Sequence, residues 1–446
     1  MKRISGVLFF LFLWFGVLHA QTLLTDELNK LISTDPLLKT SEIGLVVHDL
    51  TAGKELYSYQ ADKLYRPASI EKVVTAVTAL DILGKDFQFQ TTLSYDGVLE
   101  KGILNGNLYV KGGFDPEFME LDMDFLVRAV KEAGIQAISG KLVGDVSLMD
   151  SIYWGEGWSW DDTPEAFQPY LSPLMLNRGC VDIKVSPSAK GKAGTVEITP
   201  ESDYYQLNNR SISLHPEAGK LKITRDWLTN GNTIDVSGSV SSVRKRTLNL
   251  YDSKRFFMDT FCYKLKKEGL SVSKDSIFFL TAPDTVQWIY TCRRPVEAVL
   301  KRALKESDNL SAEALFRQLG CMNGKHTSHI SFKDCQGVVE GFMRNTLGYD
   351  SENYQIVDGS GVSLYNYVSP RLVLAYLNYA YRHPSLFRVF YDCLPVAGVD
   401  GTLQGRMRTG KAFRNVRAKT GTVTGISSLA GYLTSVNGHK ISFCYH

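Results

Sequence analysis

The sequence predicts an α/β protein in which an antiparallel sheet flanked by helices is interrupted by inserted β-rich domains. Three observations carry this prediction. Helix-like and strand-like segments stand together at both ends of the chain. Between about residues 90 and 285, short β-rich runs alternate with Gly, Asn, Ser and Asp turns. The 446 residues exceed one ordinary domain.

In chain order, Met1-Lys2-Arg3, the apolar run Val7 to Leu18 and the small Ala20 have the layout of a secretory signal peptide over residues 1–20. The run is shorter than the roughly 20 residues a bilayer requires, although an uncleaved anchor is the competing reading. No cysteine follows Ala20 to suggest a lipid anchor, so export, to a periplasmic location, with at most peripheral membrane contact is expected. Residues 22–39 predict a helix, with Leu23, Leu24, Leu28, Leu31 and Ile32 at helical spacing. Residues 43–50 and 55–59 predict a hairpin about Thr51-Ala52-Gly53-Lys54. Pro67 then leads into a helix that runs from Ser69 to about Leu83.

The β-rich middle is marked by runs at 102–111, 140–148, 194–198, 220–224 and 233–239. Helices return at 295–306 and 310–321, and Arg417 to Val423 predicts a strand. Leu429 to Ser435 and Lys440 to Tyr445 flank Val436-Asn437-Gly438-His439, a hairpin signal. The simplest architecture is one domain interrupted by an insertion.

Composition is that of a globular protein, 44% apolar and 22% charged. Removing residues 1–20 takes Lys2 and Arg3 and no acids, leaving 48 basic and 47 acidic residues. A net charge of +1 offers no electrostatic footprint for nucleic acid. The seven cysteines are widely spaced and odd in number, with no CxxC, so a dense disulfide framework is not expected. Cys321 and Cys335 are one candidate bridge; the alternative is that all seven are small buried apolar residues. The histidines show no HExxH or other ligand spacing, so a metal site is not expected.

Three short motifs carry chemistry. In Ser69-Ile70-Glu71-Lys72, a helix brings residues three apart onto one face, so Lys72 can reach the Ser69 hydroxyl. Serine needs a base to become a nucleophile, and lysine becomes one when burial or another cation lowers its pKa. The helix start also favours a developing oxyanion. Ser271-Val272-Ser273-Lys274 repeats the pattern in a strand-like context, where i and i+3 face apart, and reads as a decoy. Ser307-Asp308-Asn309 lies between two helices. It suits either a proton relay through Ser307 with a substrate contact through Asn309, or a plain helix cap. Lys419-Thr420-Gly421-Thr422 reads as an edge strand able to pair with an extended peptide. Gly421 leaves room for close approach, and Lys419, Thr420 and Thr422 suit a carboxylate; the competing reading is a solvated edge lysine.

The ordered set resembles that of penicillin-binding proteins and class A β-lactamases. Over residues 22–446 the chain resembles the D-Ala-D-Ala carboxypeptidase/endopeptidase family of class C low-molecular-mass penicillin-binding proteins, peptidase family S13. Ser69 and Ser307 stand 238 residues apart, room for the two inserted domains typical of that family. Further similar segments are Gly112 to Pro116, Trp158-Ser159-Trp160-Asp161-Asp162, Asp358-Gly359-Ser360-Gly361 and Leu394 to Leu403.

The resemblance implies a β-lactamase/transpeptidase-like domain over 21–90 and 286–446. One inserted domain would span 91–185 and 241–285, and another 186–240. It implies Ser69 as acylated nucleophile, Lys72 as its base and Ser307 as relay. Asn309, Lys419, Thr420, Gly421 and Thr422 would bind substrate, and the N–H groups of Ser69 and Thr422 would form the oxyanion hole. Asp162 is the candidate for a free amine on a peptide branch, against a plain turn aspartate. Implied partners are peptidoglycan stem peptides and cross-links, with β-lactams as covalent inhibitors and no cofactor. A serine β-lactamase and a catalytically silent wall-binding protein are the rival readings. Two features depart from the family: Leu364 stands where it usually has Arg, and His446 falls in the last expected strand. The second leads to the expectation of an exposed apolar sheet face near Leu433 and Phe443.

Overall fold

The computed structural model describes residues 22–322 and 328–446; the expected signal peptide, residues 1–20, lies outside them. The apolar strand Leu45–Asp49 pairs on one side with Lys54–Tyr59 and on the other with Lys440–Tyr445. Ile426–Thr434 and then Arg417–Val423 extend the sheet, every pairing being antiparallel, and Arg417–Val423 is its edge. The register places Val46, Cys444 and Ala430 side by side and Val47 beside Phe443. Alternation then sends these two sets to opposite faces.

On the first face lies the main core. Val46, Ala430, Tyr432 and Cys444 meet Val73, Val74 and Val77 of helix Glu71–Ile82, Leu315 and Leu319 of Asn309–Cys321, and Leu372 and Tyr376 of Pro370–Arg382. Helix Glu71–Ile82 is buried on nearly every side. Burial therefore overrides the weak helix preference of its Val-Val-Thr run. The second face corrects the expectation of an exposed patch. Phe443 is buried with Ala397, Leu403, Val416 and Leu429, and Leu433 is half-buried against them. The segment preceding the edge strand supplies this cover.

Two further corrections concern local structure. The helix expected at 22–39 is two, 22–34 and Pro36–Lys39. Pro36 has no N–H to continue the first, and the Asp35 carboxylate accepts from the amides of Leu37 and Leu38 to start the second. Cys321 and Cys335 form no bridge, and all seven cysteines are free thiols. The Sγ atoms of this pair each donate to a carbonyl one turn back, on Arg317 and Ser331.

The chain leaves the first sheet through Gln88–Tyr95 and returns through Gln287–Pro295, and these strands pair antiparallel in a second five-stranded sheet. Leu108–Lys111, Leu142–Asp145 and Ile277–Phe279 complete it. Among the described residues, three three-stranded sheets lie in the middle: Val98–Glu100 with Ile103–Asn105 and Ala137–Ile138, Thr195–Thr199 with Cys180–Ser186 and Arg244–Asn249, and Gln206–Ser213 with Thr233–Val240 and Lys222–Arg225. Two long helices, Glu120–Glu132 and Ser253–Lys267, also lie in this stretch, which sequence texture presents as β-rich. The first buries Met123, Leu126, Val127 and Val130, a helical spacing visible in the sequence.

Candidate active site

Ser69 sits in the 3-10 turn Ala68–Ile70, half-buried, immediately before helix Glu71–Ile82. Lys72 stands one turn on and is 1% exposed. Its Nζ lies 2.9 Å from Ser69 Oγ, 2.8 Å from Asn309 Oδ1 and 2.6 Å from the Ser360 carbonyl. Burial lowers its pKa from 10.5 to about 8, against the opposing pull of Asp358, Glu313 and Asp308. A neutral amine has two hydrogens and one lone pair. The two carbonyl oxygens, which only accept, take the hydrogens, and the lone pair is left for the Ser69 hydroxyl. This is the arrangement a general base requires.

The Ser360 carbonyl is delivered by Asp358-Gly359-Ser360-Gly361. Asp358 accepts from Trp158 Nε1 (2.9 Å), Gly361 N (2.8 Å), Ser363 N (2.7 Å) and Asn366 Nδ2 (2.7 Å). Thr75 Oγ1 donates to the Gly359 carbonyl at 2.7 Å, tying the loop to the nucleophile helix. Gly361 has φ +80°, and a Cβ there would overlap the Ala68 carbonyl. Only glycine tolerates both conditions. Glu71 and Glu313 complete a fully buried acidic layer beside Lys72. Burial and the Asp358 charge push Glu71 well above the usual carboxylate range and Glu313 up to about 8. Neither Glu71 oxygen has a hydrogen-bond partner among the described residues, and an unpaired buried carboxyl costs far less neutral than charged.

The second motif resolves into both of its readings. Asp308 caps helix Asn309–Cys321, accepting from Ser311 N at 2.8 Å. That leaves its neighbours free for other partners. Ser307, at φ +60°, turns its Oγ to Lys419 Nζ at 2.8 Å, and Asn309 reaches Lys72 through Oδ1 and the Phe167 carbonyl through Nδ2 at 2.8 Å. Lys419 is fully buried rather than a solvated edge lysine. Burial, and then the nearby Lys72 charge, hold its pKa well below 10.5. Thr420 is buried and donates to Thr402 Oγ1 at 2.8 Å, whereas Thr422 is exposed. Gly421 lets the edge strand lie against the nucleophile turn: a Cβ would overlap Ser428 Oγ and stand 2.8 Å from the Pro67 carbonyl.

Asp162 is half-buried at the end of the short turn Trp160–Asp162, and its carboxyl is pushed up by burial and by Asp161 and Glu165. It shares with Phe167 the loop that touches Asn309. Leu364 is 39% exposed and brings no charge to its position. The Ser271 copy is remote in kind: Ser271 bridges Ala137 in a sheet, and Lys274 pairs with Asp259. Among the described residues, no group of three or more His, Cys, Asp or Glu side chains is arranged to hold a metal. Sequence reasoning missed the roles of Ser360, Glu71, Glu313 and Thr402. The Asp358 to Gly361 and Leu394 to Leu403 segments held the signal for the first and last of these.

A serine at a helix start, a buried lysine against its hydroxyl and a sheet edge alongside define a serine acyl-transfer enzyme of the β-lactamase-like fold class. Comparison with known proteins narrows this. The model of the D-Ala-D-Ala carboxypeptidase 3 (S13) family matches residues 24–446, and the chain belongs to that family, as a serine-type carboxypeptidase hydrolase. It is 27% identical over 420 residues to a D-alanyl-D-alanine carboxypeptidase of Haemophilus influenzae, covering 92% of this chain and 86% of the relative. It is 30% identical over 436 residues to the D-alanyl-D-alanine carboxypeptidase of Actinomadura sp. (strain R39), covering 94% and 79%. The crystal structure of penicillin binding protein 4 from Haemophilus influenzae superposes with a TM-score of 0.79 at 26% identity, covering 91% of this chain and 89% of that one.

Proposed function

We propose that this carboxypeptidase works on peptidoglycan stem peptides through an acyl-Ser69 intermediate. The observation that carries the proposal is the Lys72 amine, whose two hydrogens are engaged by Asn309 and Ser360 while Ser69 Oγ lies 2.9 Å away. Lys72 takes the Ser69 proton as Oγ attacks the carbonyl of the penultimate D-Ala. The N–H groups of Ser69 and Thr422 hold the oxyanion. The proton passes through Ser307 to the leaving amine, and the terminal D-Ala departs. Water then attacks the ester and regenerates Ser69. Lys419, Thr420 and Thr422 hold the terminal carboxylate while Gly421 admits the substrate to the strand edge. Asn309 holds a substrate amide. Asp162 meets the amine of a peptide branch. When a cross-bridge replaces D-Ala as the leaving group, the same steps make the chain an endopeptidase. Residues 1–20 direct it to the periplasm, and the chemistry belongs to 21–90 and 286–446. The inserted domains are 91–185 with 241–285, and 186–240. No cofactor enters these steps.

β-Lactams present a strained amide to the same hydroxyl and acylate it. Intact mass after penicillin treatment tests the reading. Wild type gains one long-lived adduct and Ser69→Ala gains none. An adduct on Ser69→Ala removes Ser69 from the mechanism, and rapid turnover of penicillin identifies a β-lactamase instead.

A further inference from the structure

A cavity of about 570 Å³ opens beside the loop that touches Asn309. Its walls are Tyr153, Trp154, Trp160, Tyr170 and Trp227, with Asn230 at its rim. The size suits a small ligand. The Trp160 and Trp227 rings lie 5.5 Å apart at 33°, and Trp160 is 67% exposed. Trp160 therefore presents an open aromatic face at the mouth of the cavity. Thr163 also lines the cavity, with its hydroxyl itself buried.

The platform is braced from behind. Buried Arg225 donates to the Asn249 carbonyl at 2.7 Å, to Asn249 Oδ1 at 2.8 Å and to the Gly231 carbonyl at 2.9 Å. Tyr170 donates to Asn230 Oδ1 at 3.1 Å. These bonds hold the loop bearing Trp227 before any ligand arrives, which lowers the entropic cost of binding. Two paths join the cavity to the candidate active site. Trp160 and Thr163 share a loop with Phe167, whose carbonyl accepts from Asn309. Trp154 packs edge-on to Trp158, which donates to Asp358 behind Lys72.

We propose that this cavity is a subsite for the glycan end of the substrate, an N-acetylated pyranose. The proposal rests on the peptidoglycan reading above, in which the scissile peptide is attached to such sugars. A pyranose has an apolar C–H face, which stacks on tryptophan, and an edge of hydroxyl and amide groups, which finds Asn230 and Tyr153. The enzyme thereby distinguishes a stem peptide still attached to its sugars from the free peptide.

The experiment compares D-Ala release from a disaccharide-pentapeptide and from the same pentapeptide without sugar, using wild type and Trp227→Ala. Wild type has the lower KM for the sugar-bearing substrate. Trp227→Ala raises that KM about tenfold, the loss of one stacking contact. Its kcat/KM for the free peptide stays within about twofold, a change too small to signal a lost contact. Equal treatment of the two substrates by wild type, or an equal loss on both in the variant, overturns the subsite. If neither substrate releases D-Ala, the peptidoglycan reading fails separately. The subsite is then judged by quenching of wild-type tryptophan fluorescence by the disaccharide alone, and no quenching overturns it. Should Trp227→Ala fail to fold, as its melting curve would reveal, Trp227→Phe takes its place, with an intermediate rise in KM expected.

Discussion

The pH dependence of Ser69 acylation follows from the burial of Lys72. Only the neutral amine can accept the Ser69 proton, and the pKa near 8 sets how much of it exists. About 9% of the lysine is neutral at pH 7 and about 90% at pH 9, so acylation accelerates about tenfold across that interval. The assay is the second-order rate of penicillin adduct formation between pH 6 and pH 10, followed by intact mass. A rate independent of pH, or an inflection near the ordinary 10.5, would refute the argument that burial tunes this lysine. The same burial shows in stability. An unfolded chain keeps the Lys72 proton up to 10.5, so it binds more protons than the folded chain between about pH 8 and 10.5, and stability rises with pH in that window. The difference from 10.5 to about 8 amounts to about 3 kcal/mol at most. Glu71→Gln sharpens the test. Glu71 is read as neutral, and glutamine is its near-isostere, so the acylation inflection stays in place. Were Glu71 charged, its removal would move the inflection down by about one pH unit or more.

Further outcomes follow from packing. Gly421→Ala forces a Cβ onto Ser428 Oγ and toward the Pro67 carbonyl, so the edge strand moves from the nucleophile turn. It is expected to cost about 1–3 kcal/mol in urea unfolding and to slow penicillin acylation; a variant equal to wild type in both would disprove the close approach. Six of the seven cysteines are buried thiols and Cys321 is half-buried. A thiol reagent should therefore label at most Cys321 in the native protein and all seven after denaturation; a denatured count of five would reveal a bridge.

The legibility of this chain in its sequence was uneven, for physical reasons. The hairpins and the nucleophile helix were readable because turn chemistry and periodicity are local. The helix Glu120–Glu132 was obscured by surrounding β-rich texture, although its own spacing was regular. The break at Asp35-Pro36 was a local signal passed over within a longer apolar rhythm. Cover for Phe443 was not readable at all, because it comes from residues 397–416, which join the sheet only in three dimensions.

The same division runs through the candidate site. By itself, the sequence nominated the side chains of the proposed chemistry: Ser69 and Lys72 one helical turn apart, Ser307 and Asn309 astride a cap, and Lys419 to Thr422 on a strand. Order and spacing suffice for that, since they are properties of the chain. Only the tertiary structure decided their state. Lys72 is placed to act as a base because Asn309 and the Asp358 loop converge on it from positions 237 and 288 residues away, bury it and occupy two of its hydrogens. Desolvation depends on everything packed around a group, and no short stretch of sequence contains it.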